Sequence, residues 1–172
     1  GIDGNWQLLN PEEASLNLDN SKWVFNLSNG GRAKGWAYLS YTFEGKTKSE
    51  WYHFGDDGIM NSGWFFEGNM WYYLSMDHNG FYGEMIKGWH HDANDGRWYY
   101  LNTSSGAMHT NWTKIGNDFY YLNPTAPAQT WFYDNTTNRW KFGNIDSRPL
   151  GSMYQNENTP DGYYVNENGV WK

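Results

Sequence analysis

The apolar positions of this chain are mostly rings, and they alternate with one another and with polar residues at period two. In Arg97-Trp98-Tyr99-Tyr100-Leu101-Asn102 this alternation puts Trp98 and Tyr100 on one face and Tyr99 and Leu101 on the other. Aromatic residues suit a pleated, half-buried surface, so the run predicts a strand. Gly88-Trp89-His90-His91 predicts its partner, and Asp92-Ala93-Asn94-Asp95-Gly96 between them is a strong turn signal. A Ser/Gly connector then runs to Thr110. A lone hairpin is marginal in water, so such units must stack to bury a continuous core.

The same unit recurs. Gly-Trp stands at Gly35-Trp36, Gly63-Trp64 and Gly88-Trp89, with Asn111-Trp112 as an altered copy; the Trp spacings are 28, 25 and 23. Each pair is followed by an aromatic run: Trp51-Tyr52-His53, Trp71-Tyr72-Tyr73, Trp98-Tyr99-Tyr100 and Phe119-Tyr120-Tyr121. A Gly-x-Met element closes the unit at Gly58-Ile59-Met60, Gly83-Glu84-Met85 and Gly106-Ala107-Met108. The ends are degenerate. Trp6 and Trp23 look like remnants of an earlier copy, separated by one expected helical turn at Pro11-Glu12-Glu13-Ala14. Trp131 and Trp140 flank a further expected hairpin, and Gly162-Tyr163-Tyr164-Val165 resembles a last copy. Such a pattern predicts one repeat domain over 1–172: an atypical N-terminal cap (1–34), central repeats (35–123) and an atypical C-terminal cap (124–172), about five or six hairpins in all.

Composition fits thin sheets better than a thick aliphatic core. Of the 172 residues, 20% are Phe, Trp or Tyr, and mean hydropathy is −0.90. Net charge is −7, with twelve Lys and Arg scattered along the chain, which argues against nucleic acid as a partner and favours a cationic ligand. There is no Cys, so disulfides and thiolate metal sites are excluded. No stretch is apolar for the roughly 18 residues of a membrane span. Gly1 in place of an initiator Met is consistent with removal of an upstream signal.

The set Gly-Trp, Trp-Tyr-Tyr-Leu and Gly-x-Met resembles the choline-binding, or cell-wall-binding, repeat of Gram-positive surface proteins, most closely from Gly35 to Asn123. The resemblance implies an all-β fold in which β-hairpin repeats stack into a left-handed β-solenoid. It implies sites between successive hairpins that hold the choline of teichoic or lipoteichoic acid, on a secreted protein at the bacterial cell surface. Carried over by position, a site takes the Trp of Gly-Trp and the first ring of the aromatic run, closed by the last Tyr of the next run. The expected triplets are Trp64, Trp71 and Tyr100; Trp89, Trp98 and Tyr121; and Trp36, Trp51 and Tyr73, the last on a hairpin with a longer loop (Ser40 to Glu50). Met85 and Met108 stand where the family places a Met beside the cage. A site from Trp6 and Trp23 is doubtful, because His53 replaces its closing Tyr. Phe142 is the only obvious closer for Trp112, and Trp131, Trp140 and Tyr164 are a weak candidate for a last cage.

The residue chemistry agrees with that assignment. A quaternary ammonium has no N–H to donate, but aromatic faces attract it through their quadrupole, at about 0.5–1 kcal/mol per exposed contact and about 2 when desolvated. Competing readings are less well supported. His90 and His91 are adjacent, so a strand would point them to opposite faces, and no His pair has metal-ligand spacing. Asp92 to Gly96 lacks the later Glu of a calcium loop. Asp56-Asp57 and Glu12-Glu13 lie in expected loops, and no nucleophile motif occurs, so no catalysis and no cofactor are expected. Tyr72, Tyr99 and Tyr120, on the opposite strand face, are expected core. Two alternatives remain open: binding of a surface glycan through one or two rings plus polar groups, and a structural spacer. Self-association into a homodimer through an end of the stack is a further expectation.

Overall fold

The computed structural model describes residues 2–126, 131–142 and 148–172. The described residues form fourteen strands in seven two-stranded sheets, each joining strands adjacent in sequence. β1 (Gly4–Leu8) pairs with β2 (Trp23–Leu27), with helix α1 (Pro11–Leu16) and a 3-10 turn (Leu18–Asn20) between them. Then come β3 (Gly35–Phe43) with β4 (Lys46–Phe54), β5 (Gly63–Glu67) with β6 (Met70–Leu74), and β7 (Gly88–His91) with β8 (Trp98–Leu101). β9 (Asn111–Ile115) pairs with β10 (Asp118–Leu122), β11 (Trp131–Asp134) with β12 (Arg139–Phe142), and β13 (Glu157–Asn158) with β14 (Tyr164–Val165). The all-β hairpin architecture is therefore as expected, as is the short helix at Pro11. Among the described residues no helix is long and apolar enough to cross a membrane.

Two features differ from the sequence expectation. The stretch Ser40 to Glu50 is not a long loop: both strands run on to Phe43 and Lys46, and a two-residue turn at Glu44-Gly45 (φ 49° and 80°) joins them. Left-handed values at both turn positions match the twist of a tight hairpin, and glycine supplies one without strain. The second difference is the place of the β11–β12 hairpin. It is an excursion from a connector, not a further copy of the repeat. The connectors close through a common pair of backbone bonds, seen at Ser75–Glu84, Asn102–Ala107 and Asn166–Val170. The same closure occurs at Asn123–Ser152, so the β11–β12 hairpin lies within one connector. Buried Asn123 donates its Nδ2 to the carbonyls of Thr125, Arg148 and Pro149 and ties the base of that excursion.

The chain divides into two compact units. The first comprises Gly1–Phe65, Tyr73–Met85 and Asp134–Arg139; the second comprises Phe66–Tyr72, Ile86–Tyr133 and Trp140–Lys172. In the first, Phe25, Ala37, Leu39, Tyr52 and Phe54 form a buried core, and Trp6 packs against Phe25, Tyr41, Tyr52 and Phe54 at centroid distances of 5.3–5.8 Å. In the second, Tyr99, Leu101, Leu122 and Val165 are fully buried. Tyr99 is core, as its strand face implied. Its hydroxyl donates to Asp95 Oδ2 at 2.5 Å, and burial pushes this phenol and that of Tyr52 far above the ordinary range.

The Gly-x-Met element has a clear structural role. Each Met donates its backbone N–H to the carbonyl of the leading ring of an earlier aromatic run: Met60 to Trp23 and Met85 to Trp51 in the first unit, and Met108 to Trp71 and Met153 to Trp98 in the second, all at 2.8 Å. Trp171 repeats the bond to Phe119 at 2.9 Å. The glycine of a later element leaves room for the Met side chain. A Cβ on Gly83 would stand 2.5 Å from Met60 Sδ, and one on Gly169 would stand 2.5 Å from Met153 Sδ.

Candidate ligand-binding site

A cation cage needs ring faces that meet at an angle and leave a corner open. The hairpin register makes such corners. In β7–β8, Trp89 pairs with Tyr100 and His91 with Trp98, so all four side chains share one face. The Trp89 and Trp98 rings stand 6.3 Å apart at 87°. Tyr100 and Tyr120 close on Trp89 at 5.0 Å and 4.9 Å, and His91 stacks on Trp98 at 4.7 Å. The structure thus places Tyr120 against Trp89. Tyr121 is 5% exposed and packs on Trp112 and Tyr154 at 5.0 Å and 4.9 Å, in a small core with Val165. Trp112 pairs with Tyr121 as Trp89 does with Tyr100, and Tyr120 faces the other way. Tyr121, the expected wall, thus lies in this small core, and Tyr120, the expected core ring, lies against Trp89.

The doubtful N-terminal pair forms the same corner. Trp6 and Trp23 stand 6.3 Å apart at 88°. They line a cavity of about 480 Å³ together with Tyr41, Phe43, Tyr82 and Met60. His53 is not among its lining residues. It lies against Trp36 and Phe65, and its Nδ1 meets Asn61 Oδ1 at 2.7 Å. The missing Tyr is replaced by rings from two places that motif spacing does not reveal: the extended β3–β4 hairpin (Tyr41, Phe43) and the connector after β6 (Tyr82). Tyr82 is well held. Its hydroxyl bonds Ser62 at 2.8 Å and Arg139 at 2.9 Å, and its ring stacks on His78 at 4.2 Å and 15°.

A third ring set lies at the C-terminus. Tyr163 stands at 90° to Trp112 and at 87° to Trp171, with centroids 5.8 Å and 6.0 Å away; Phe119 lies 6.2 Å from Trp171. Trp112 Nε1 donates to Asp161 Oδ2 at 2.7 Å. Hydrogen bonds from Thr159 and Trp112 hold the Asp161 carboxyl below its ordinary range, so a negative charge sits beside these rings at neutral pH. Trp171 was legible as the third residue of Gly169-Val170-Trp171, which fills the Gly-x-Met position, and Met153 as that of Gly151-Ser152-Met153. The side chain of Phe142, the expected closer for Trp112, lies outside the described residues.

The remaining expected residues are placed as follows. Trp36 packs on His53 and Phe65, Trp51 on Tyr38, and Tyr73 on Trp64. Trp64 belongs to the first unit, and Trp71 and Tyr100 to the second. Trp71 is 8% exposed and meets Trp131 at 4.9 Å, Trp140 at 5.4 Å and Phe66 at 4.8 Å. Trp131 and Trp140 thus cover Trp71, and the hydroxyl of Tyr164 bonds Asn156. Met85 and Met108 are buried. The Asp92 carboxylate accepts from the turn amides of Asn94 and Asp95, as a hairpin turn requires.

Comparison with known proteins bears on the repeat itself. A choline-binding repeat profile matches residues 81–112, and a cell wall binding repeat profile matches 46–60 and 62–75. Choline binding protein F from Streptococcus pneumoniae, crystallised with a peptidoglycan analogue, is 31% identical over 100% of this chain and 47% of its own, with a TM-score of 0.52. The chain belongs to the choline-binding repeat family. A second structure of choline binding protein F is 30% identical (TM-score 0.51) over 100% of this chain and 48% of its own. CbpJ from Streptococcus pneumoniae TIGR4 is 34% identical (TM-score 0.50) over 99% of this chain and 48% of its own. The comparison with curated proteins gave no match. This choline-binding repeat chain spans about half the length of these three structures.

Proposed function

We propose that this chain is a non-catalytic cell-wall-binding module that holds choline groups of a teichoic or lipoteichoic acid in aromatic corners, at the outer surface of a Gram-positive bacterium. The observation that carries the reading is the recurrence of one geometry in both units: two indoles 6.3 Å apart at 88° for Trp6 and Trp23, and at 87° for Trp89 and Trp98. Perpendicular ring faces give a trimethylammonium two quadrupoles at once, and a third ring (Tyr82 or Tyr120) supplies another wall. Three walls give roughly 4–6 kcal/mol gross, from which association costs are subtracted, so one corner binds in the millimolar range, about −4 kcal/mol. Several corners on one polymer raise the apparent affinity by avidity. At the C-terminal ring set the Asp161 charge adds attraction for a cation.

The test is a choline titration followed by tryptophan fluorescence, on the wild type and on Trp23→Ala and Trp98→Ala. The expected result is saturable quenching in the wild type with one component lost in each variant. Absence of a saturable response in the wild type, or a response unchanged in both variants, overturns the proposal.

A further inference from the structure

The β3–β4 hairpin has nine residues in each strand, where β5 to β10 have four or five. Its register separates two chemistries. One face carries Ala37, Leu39 and Tyr41 toward the core and cavity, and it also carries the charged residues of the two strands, Lys46, Lys48 and Glu50, with Lys48 paired to Glu84 at 2.7 Å; Glu44 stands in the turn at the tip. The other face carries Tyr38 opposite Trp51, then Ser40 opposite Ser49, then Thr42 opposite Thr47. Tyr38 is 47% and Trp51 39% exposed, and all four hydroxyl residues are exposed. The two rings meet at 5.2 Å and 58°, forming a shallow V open to solvent. Ser40 and Ser49 bond each other through their hydroxyls, as do Thr42 and Thr47 at 2.6 Å.

The geometry points to a second binding surface on this arm, for an uncharged pyranose glycan, separate from the Trp6–Trp23 and Trp89–Trp98 corners. Cross-strand hydroxyl pairs help hold the hairpin together, by about 0.2–1 kcal/mol each. Each hydroxyl still has an acceptor lone pair free for a sugar O–H, because the inventory of a hydroxyl is one donor and two acceptors. An exposed ring pair offers the apolar face on which the C–H side of a pyranose stacks. The strip from Tyr38–Trp51 to Thr42–Thr47 runs about 13 Å at about 3.3 Å per residue, which suits a short oligosaccharide better than a single sugar. The alternation keeps ammonium and carboxylate groups off this strip, on a chain whose net charge is −7. A charged polymer finds no counter-charge there, whereas an uncharged glycan gives up no charge solvation to lie on it.

The experiment is a ¹H–¹⁵N correlation spectrum of the full chain titrated with chitotetraose, and separately with choline chloride. Chitotetraose is expected to shift the backbone signals of 38–42 and 47–51 in a saturable manner. Tyr38→Ala should weaken that binding about tenfold, or about 1.4 kcal/mol, and Ser49→Ala should weaken it by a smaller factor. Both variants should leave the choline-induced shifts at the Trp23 and Trp98 indoles as in the wild type. No shift of the strip with chitotetraose, or equal affinity in Tyr38→Ala, overturns the inference. If chitotetraose binds and choline does not, the choline reading fails and this one stands.

Discussion

The Trp6–Trp23 and Trp89–Trp98 corners have the same ring separation and nearly the same angle, yet their surroundings differ. Trp6 is wedged into the core of the first unit between Phe25, Tyr52 and Phe54, and an extended hairpin and a long connector wall its corner into a cavity of about 480 Å³. Trp89 is half-buried in the second unit, where Tyr100 and Tyr120 pack on it besides Trp98. Trp71 extends the contrast: its ring is taken up by Trp131 and Trp140 of the excursion. Repeat position therefore sets where an indole stands. What the connectors carry decides whether its face meets solvent, a cavity or another ring.

Substitutions can separate these roles. Trp6→Ala should have the largest effect, destabilising the first unit by about 3–5 kcal/mol, as expected for deleting a large ring from a core. Urea unfolding checks this, and a loss no greater than that of Trp98→Ala would erase the proposed difference between the corners. Gly83→Ala should cost about 1–3 kcal/mol, because its φ of +91° disfavours a side chain and the new Cβ would meet Met60 Sδ. Its choline response at the first corner should fall with it, since Met60 lines that cavity.

Trp98→Ala should leave the unfolding midpoint nearly unchanged and weaken choline at its own corner about tenfold, or about 1.4 kcal/mol. In the double variant Trp131→Ala/Trp140→Ala, acrylamide should quench an additional tryptophan, and adding Trp71→Ala should abolish that increment. Equal quenching before and after the double substitution would show that Trp71 is not covered by these rings.

The smallest effect is one of pH. Asn102 accepts through Oδ1 from the Ser104 and Ser105 amides, so its Nδ2 faces His109 Nε2 at 3.1 Å, and the imidazole must accept there. Burial lowers the His109 pKa. As pH falls, the unfolded chain takes up this proton first, at about 6.5. The contribution is therefore present above that pH and lost as pH drops through it toward the lower folded value. Thermal melts from pH 8 to 5 should show a small decline, about 0.5–1 kcal/mol for one hydrogen bond. His109→Gln, which can present an amide oxygen to Asn102, should flatten it.

The sequence alone determined the hairpins and part of the core of the repeats. Period-two alternation places Tyr52, Tyr99, Leu101 and Leu122 inside, because a strand turns successive side chains to opposite faces. It also brought Trp89 and Trp98 to one face, since a Gly-Trp and the leading ring of the run after it share a hairpin face once the register is set, whereas the Trp6–Trp23 pair was doubtful from the sequence. Two late members of the pattern, Met153 and Trp171, follow the same Gly-x-x spacing and only lie beyond an interruption. Tertiary structure decided the third walls. Tyr41 and Phe43 reach the Trp6 corner because the β3–β4 strands run past the usual length, and Tyr82 reaches it from a connector. Tyr121 is buried although it lies on the strand face opposite Leu122, because Tyr154 and Val165 from later in the chain pack against it. Hairpin faces follow from local alternation, whereas cavity walls depend on contacts between segments far apart in the chain, which no spacing within a single repeat encodes.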